Sequence, residues 1–362
     1  MDDGTGGAAS AEGRPPSPPS ASPPLAFRVT AVGCGVVAAV LLGLGGARLA
    51  GIDLGLGVRN ARRVIEPLPT PAPSGYMTAD PIRGFRHVPN TSAAADAEDF
   101  HVTYTIDALG ARDMPAHHGA PSDRRVVEVF GDSFTFGHGM PDDTPYPAVL
   151  QRDLWPAYEV RNRGVNGYGT MQSMAWLDQL APEESRLAIV LCGWLPFHLS
   201  RNGPDPSWLA MVDSSHQRLP FYRVVDGLPV FERLIGPADA LAASDPALVE
   251  IEWANTEAAI RQMNRTARGL DAKFRVVLLP FQHPEAAAPS VARMRQMLAA
   301  AKITAIDLAE MDGMGDSDLY LPHDGHPKAE WHRRVAVAIA TAMPYRTVTP
   351  TPTPTPTSAS AR

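Results

Sequence analysis

Apolar residues along this chain fall into two rhythms. Short unbroken runs, such as Val126–Val127 with Val129–Phe130 and the stretch "LAIVLC" at 187–192, alternate with longer segments whose apolar positions recur every three to four residues. Unbroken runs of four to eight residues suit strands buried on both faces, and the longer period suits helices with one buried side. On this pattern "VVEVF" is a strand, "YPAVLQRDL" a helix, "YEVRN" a strand, "MQSMAWLDQL" a helix and "LAIVLC" a strand. After a long middle segment follow the helix at 247–270, the strand "FRVVLLP", the helix "SVARMRQMLAAA", the strand "ITAIDL" and a last helix at 327–343. Alternation of this kind predicts a three-layer α/β/α fold around a parallel sheet, flavodoxin-like in arrangement.

Two pieces depart from the alternation. The segment "FHVTYTIDALGARD" (100–113) reads as an extra edge strand and turn, and Asp226-Gly227 between two strand-like runs reads as a tight hairpin. The latter sits in an expected insertion, about 203–245, near the mouth of a site.

The ends follow other rules. Residues 1–26 are rich in Pro, Ser, Gly and Ala and are expected to be disordered, because so little apolar surface cannot offset chain entropy. Residues 27–50 hold nineteen consecutive uncharged positions, Val29 to Ala47. At helical rise these span about 28 Å, the depth of a bilayer core, so one transmembrane helix is expected. A Pro-rich linker, 51–75, and a Thr/Pro tail, 346–362, then flank a folded domain at 76–345. Arg48, Arg59, Arg62 and Arg63 outnumber Arg14 and Arg28, which by the positive-inside rule favours a cytoplasmic domain.

Composition narrows the function. The 362 residues carry a net charge of −7 without a basic block, which excludes a nucleic-acid surface. Only Cys34 and Cys192 occur, too few for a disulfide framework or a thiolate metal centre. Neither metal nor cofactor is expected. His323, Asp324, His326 and His332 lie close in sequence but form no helical ligand pair, and His332, beside two arginines, reads as a solvated-face residue. The acidic pair Asp142-Asp143 reads as a solvated loop, and His117-His118 as bystanders in a polar loop.

Candidate chemistry starts where the first core strand ends. In "VVEVFGDSFTFGHG" (126–139) a buried strand runs into a small-residue turn, which places Ser133 at the carboxyl edge of the sheet, where open α/β folds bind ligands. A serine hydroxyl needs a base, and the base needs an orienting group. Near the end of the domain "LPHDGHPKAEWH" offers Asp324 and His326 on one loop, with Gly325 letting the chain turn between them. "NRGVNGYGT" offers Gly167, whose backbone N–H, with that of Ser133, could receive an oxyanion. Trp194, Trp208, Phe221 and Tyr222 read either as groove lining or as ordinary packing.

With these residues in this order the chain resembles the SGNH/GDSL hydrolases over roughly 80–342, and the lead-in "YTIDALGARD" resembles membrane-anchored bacterial members. The resemblance implies a serine-dependent ester hydrolase working through an acyl-enzyme, with Ser133 as nucleophile, His326 as base, Asp324 as its partner, and Ser133 and Gly167 as oxyanion donors. It implies a small-molecule or glycan ester as substrate, and a single-pass membrane protein whose catalytic domain lies outside the cytoplasm. One block departs from the family pattern: in "CGWLPFHLSRN" Phe197 and His198 stand where an oxyanion Asn and an Asp are usual. Asn166, His198 and Asn202 are the candidate replacement donors. The departure also leaves room for a polysaccharide O-acetyltransferase or a non-catalytic carbohydrate- or partner-binding protein of the same fold.

Overall fold

The computed structural model describes residues 75–115, 123–180, 184–215 and 217–344. The expected transmembrane span, the linker up to residue 74, both tails, Cys34, His117 and His118 lie outside the described residues. Among those described, no helix is long and apolar enough to cross a membrane.

Two antiparallel hairpins come first, β1 (Met77–Asp80) with β2 (Gly84–His87) and β3 (Thr91–Asp96) with β4 (His101–Ile106). The core begins at β5 (Arg125–Gly131), followed by a single helical turn α1 (Ser133–Phe136) and α2 (Tyr146–Val149). Then come β6 (Tyr158–Gly164), α3 (Thr170–Leu180), β7 (Leu187–Trp194), α4 (Pro206–Ser214) and the hairpin β8 (Leu219–Val225)–β9 (Leu228–Ile235). The chain finishes with α5 (Pro246–Gly269), β10 (Lys273–Leu278), α6 (Pro284–Ala300), β11 (Ala305–Asp307) and α7 (Ala329–Ala342).

Five strands form one parallel sheet in the order β11-β10-β7-β5-β6. Counted as core strands this is 2-1-3-4-5, with the topological switch between β5 and β7, and the carboxyl end of β5 is where open α/β sheets of this order bind ligands. Strand periodicity sorts the core into two layers. Val126 and Phe130 face α3, α5 and α6 with Trp176, Ile260 and Met294, while Val127 and Val129 face α2 and α7 with Trp331, Val335 and Ile339. β7 is buried along its whole length, as a central parallel strand must be.

Two expectations change in detail and a third holds. The segment at 100–113 does not add a strand to the sheet edge: β4 pairs with β3, and Arg112 alone bridges to Asn162 of β6. The helix at 146–154 ends early, its second half forming one wide turn, Leu150–Leu154. The Asp226-Gly227 hairpin is present with both residues at positive φ, 51° and 74°, the left-handed pair that matches strand twist.

Candidate active site

Ser133 is placed by a capped turn. The Asp132 carboxylate accepts the Phe134 N–H at 3.0 Å, and Gly137 closes the turn at φ 84° by donating its N–H to the Ser133 carbonyl at 2.8 Å. β6 runs so close beneath that a Cβ on Gly164 would lie 2.2 Å from the Phe136 nitrogen, so only glycine fits there.

Burial alone would raise the Asp132 carboxyl, but His198 at 3.3 Å, Arg201 at 3.0 Å and the Phe134 N–H outweigh it and hold it down, to about 2. Burial also lowers His198, so the lasting positive charge of this trio belongs to Arg201. Because the folded value lies below the unfolded one, the ionised Asp132 contributes stability above pH 4 that is lost as pH falls through 2. Asp132→Asn is therefore expected to destabilise the protein by about 2 kcal/mol at pH 7. Thermal unfolding between pH 2 and pH 7 checks this: the gap to wild type should close toward acid.

The second loop arrives from 193 positions away. His326 Nε2 lies 2.7 Å from Ser133 Oγ, and Nδ1 of the same ring is in short contact with Asp324 Oδ1. Gly325, at φ 80°, makes the turn that brings the two side chains together, and the His326 backbone N–H also donates to Asp324 Oδ1, 3.2 Å. All three side chains are buried. Asp99, from the β3–β4 turn, pins the loop by accepting the N–H groups of His323 and Asp324 at 2.8 Å each, and bonds the His323 ring at 2.7 Å, which raises that imidazole.

Gly167 adopts φ 83°, a conformation strained for any other L-residue, and the Trp208 indole of α4 sits 3.4 Å from where its Cβ would be. The insertion thus reaches the Gly167 turn. Phe197 is buried against Phe134 and Phe281, with the Arg201 guanidinium stacked on it at 4.5 Å. Of the candidate replacement donors, Asn202 is spoken for elsewhere: its Oδ1 accepts the Met171 N–H at 3.0 Å and its Nδ2 donates to Thr256 at 2.7 Å, bracing α3 against α5. His198 faces Asp132 from beneath the turn. Asn166 is half-buried; its Nδ2 donates to the Tyr76 hydroxyl at 3.1 Å and approaches His138 Nδ1 at 2.8 Å.

Other readings are corrected. His332 is fully buried on the inner face of α7, where Nδ1 accepts the Tyr146 N–H at 3.3 Å, and is no solvated-face residue. Asp142 is tied to Arg112 at 3.0 Å, which makes it part of a buried clamp and not a merely solvated acid. Trp194 is core, packed against Trp253. The four residues at 323–332 do not converge, since His323 turns to Asp99 and His332 to α2. A different trio, His138, Asp324 and His326, does gather within 4.8 Å. In that trio His326 is engaged on both nitrogens, by Ser133 and by Asp324.

Sequence reasoning passed over His138 and Arg112. His138 sits between Gly137 and Gly139, both at positive φ, and that turn swings a lone imidazole into the site. Its Nε2 lies 3.7 Å from Asp324 Oδ2, its ring centroid 4.6 Å from that of His326, and burial, with the neighbouring His326 and Arg112 charges, lowers it to about 3.

Residues 129–334 match the family model of the GDSL-like Lipase/Acylhydrolase family. The chain belongs to that family. As a GDSL hydrolase it is an ester-hydrolysing enzyme. Among solved structures it is similar to a lipolytic G-D-S-L family protein from Veillonella parvula, at 12% identity, TM-score 0.39, over 60% of this chain and 97% of that one. It is also similar to the lipase Lip_vut3 from a goat rumen metagenome, at 15% identity, TM-score 0.41, over 60% and 97%. A third is a catalytic mutant of the acetylxylan esterase Axe2 from Geobacillus stearothermophilus, at 11% identity, TM-score 0.38, over 61% and 95%. No curated protein sequence matches the chain.

Proposed function

We propose that this GDSL hydrolase cleaves carboxylic esters by a double displacement at Ser133. The Oγ attacks the ester carbonyl as its proton passes to His326 Nε2, and Asp324 holds the ring in the tautomer that leaves Nε2 able to accept. The N–H groups of Ser133 and Gly167 receive the oxyanion. The tetrahedral intermediate expels the alcohol, which takes the proton from His326; water then attacks the acyl-enzyme with His326 again as base, and the C–Oγ bond breaks as His326 returns the proton to Ser133 Oγ and the carboxylic acid leaves. The observation that carries this reading is the 2.7 Å contact between His326 Nε2 and Ser133 Oγ, with Asp324 on the opposite nitrogen.

Phe197 sets the expected rate. Without an Asn side chain in the oxyanion region turnover should run about 10²- to 10³-fold below that of a site with three donors, since one such donor typically contributes that factor. The uncharged run at Val29–Ala47 supports a single-pass anchor, and long domains translocate with little regard to flanking charge, so we place the catalytic domain outside the cytoplasm.

The test is covalent trapping. A fluorophosphonate should add its mass to the peptide bearing Ser133, and p-nitrophenyl acetate should give a burst of one equivalent before steady turnover. Folded protein that neither labels nor bursts would leave a binding module of the same fold. Hydrolysis of an acetylated glycan, followed by product analysis, then assigns the alcohol side of the substrate, and protease accessibility in intact cells checks the topology.

A further inference from the structure

We propose that Arg201 is a positioning residue for the oxyanion hole, a bracket that holds the turn carrying Ser133 and the loop carrying Gly167 at a fixed separation. The proposal rests on the assignment of Ser133 and Gly167 given above. It gives a task to the segment of chain that lacks the usual Asn.

An oxyanion hole works only when its donors converge, each about 3 Å from the place where charge develops, and a misplacement of about 1 Å can cost roughly 100-fold in rate. Here the two N–H groups come from different loops. Backbone pairing of β5 with β6 ends at Gly131 and Gly164, followed by one bond from the Val165 N–H to the Gly131 carbonyl at 3.2 Å. Ser133 and Gly167 both lie past that rung. Beyond it, Arg201 Nη1 donates to Asp132 Oδ2 at 3.0 Å and to the Tyr168 carbonyl at 3.1 Å. Asp132 immediately precedes Ser133 and Tyr168 immediately follows Gly167, so a single nitrogen ties together the neighbours of both donors.

The bracket is itself held. The buried guanidinium lies over the rings of Phe197 and Trp208, 4.5 Å from each centroid, and the same Trp208 borders the Gly167 turn. A planar, permanently charged group suits this place, because the two rings fix its plane and its hydrogens then point in fixed directions. Phe197, which cannot donate a hydrogen bond, thus becomes one of the surfaces that orient a residue which can. The backbone of Arg201 also presses on the Gly167 loop: a Cβ on Gly169 would lie 2.9 Å from Arg201 Cβ and 3.1 Å from its carbonyl oxygen, an approach that only glycine allows. Asn202, the next residue, accepts the Met171 N–H and donates to Thr256, while Asn255 Nδ2 donates to the Asn202 carbonyl at 2.7 Å. The bracket is therefore rooted in α5. Its effect falls on the transition state more than on the bound ester, since the two N–H groups meet full negative charge only in the tetrahedral intermediate.

Two variants and an inhibitor test the idea. Arg201→Met keeps the aliphatic stem and removes both bonds, while His198 and the Phe134 N–H still face Asp132. Its kcat for p-nitrophenyl acetate should fall about 100-fold with KM within about threefold of wild type, and the Ki of trifluoroacetone, which forms a tetrahedral oxyanion adduct on Ser133, should rise by about the factor that kcat loses. Arg201→Lys should recover little, because its ammonium lacks the flat face that the rings hold. Wild-type kcat in folded Arg201→Met, or a fall in kcat with Ki unchanged or with KM carrying the loss, overturns the proposal. Should that variant not fold, Arg201→Lys, which keeps a charge beside Asp132, decides alone: a fall in kcat matched by a rise in Ki at steady KM supports the proposal, and any other pattern overturns it. Ser133→Ala, measured alongside, separates the two readings. Full activity there would defeat the assignment of the nucleophile and its oxyanion hole, whereas an inactive Ser133→Ala beside an Arg201→Met enzyme with wild-type kinetics defeats only the role of Arg201.

Discussion

Replacing Ser133 with alanine is expected to lower kcat by about 10⁴- to 10⁶-fold, leave the melting temperature within a degree or so, and abolish labelling by a fluorophosphonate. The size follows from chemistry: without Oγ no acyl-enzyme forms, and the remaining rate comes from water attacking an ester held by the backbone donors. The small stability effect follows from the structure, because the turn around Ser133 is held by the Asp132 side chain and by backbone bonds from Gly137 and His138, none of which uses Oγ. The double variant Ser133→Ala/His326→Ala should be no slower than either single one, since a base without its nucleophile has nothing to deprotonate. Turnover of p-nitrophenyl acetate by purified single and double variants checks this. Losses that multiply would mean that the two residues act independently, contrary to the 2.7 Å contact between them.

Arg112→Leu is expected to cost about 3–5 kcal/mol of stability and roughly 10 °C of melting temperature, the largest effect predicted for a residue outside the site chemistry. Arg112 is buried, and it donates to the carbonyls of Phe136 at 2.6 Å, Gly137 at 2.7 Å and Met140, and to the Asp142 carboxylate at 3.0 Å. Its guanidinium also lies over the rings of Tyr104 and Phe136. Leucine would replace the aliphatic stem but take the guanidinium donor from the Met140 carbonyl and one donor each from the Phe136 and Gly137 carbonyls and the Asp142 carboxylate, which keep weaker bonds from Asn162, Met140 and Thr105. Because the Phe136 and Gly137 carbonyls end the helical turn that begins at Ser133, kcat should fall together with stability even at temperatures where the variant is fully folded. Lysine should rescue little, having a point charge where a planar fork meets several acceptors at once. Calorimetry of both variants, with kinetics about 15 °C below each transition, provides the measurement. A melting temperature within about 2 °C of wild type for Arg112→Leu would show that the clamp is dispensable.

Much of the site was legible because its parts are local. The turn at Gly131–Ser133 and the loop at Asp324–His326 each place chemistry within a few residues of a glycine, and such turns form much as their sequence demands. His332 was legible too, had period been weighed above neighbours: with Trp331, Val335, Ala336 and Ile339 it completes the buried stripe of α7, while Arg333 and Arg334 lie on the far side. Asn202 shows the opposite case. Its distance of five residues from Phe197 suggested a shared place, but two short helical turns, Pro196–His198 and Ser200–Asn202, rotate its amide back toward α3 and α5. His138 offered no periodicity or spacing at all, only a single imidazole between glycines.

By itself the sequence of this hydrolase determined the order and kind of its core elements and the two turns that carry Ser133 and Asp324–His326, because apolar period and turn chemistry act over a handful of neighbouring residues. The tertiary structure alone decided which oxygens and nitrogens meet: that His326 reaches Ser133, that Asp99 pins the loop of Asp324, that Arg112 gathers the carbonyls of the following turn, and that His138 faces Asp324 with its ring oriented by Tyr104 and Asn166. Each of those contacts joins segments that share no local pattern, and burial in a low-dielectric interior makes every such polar pairing a property of the whole packed domain.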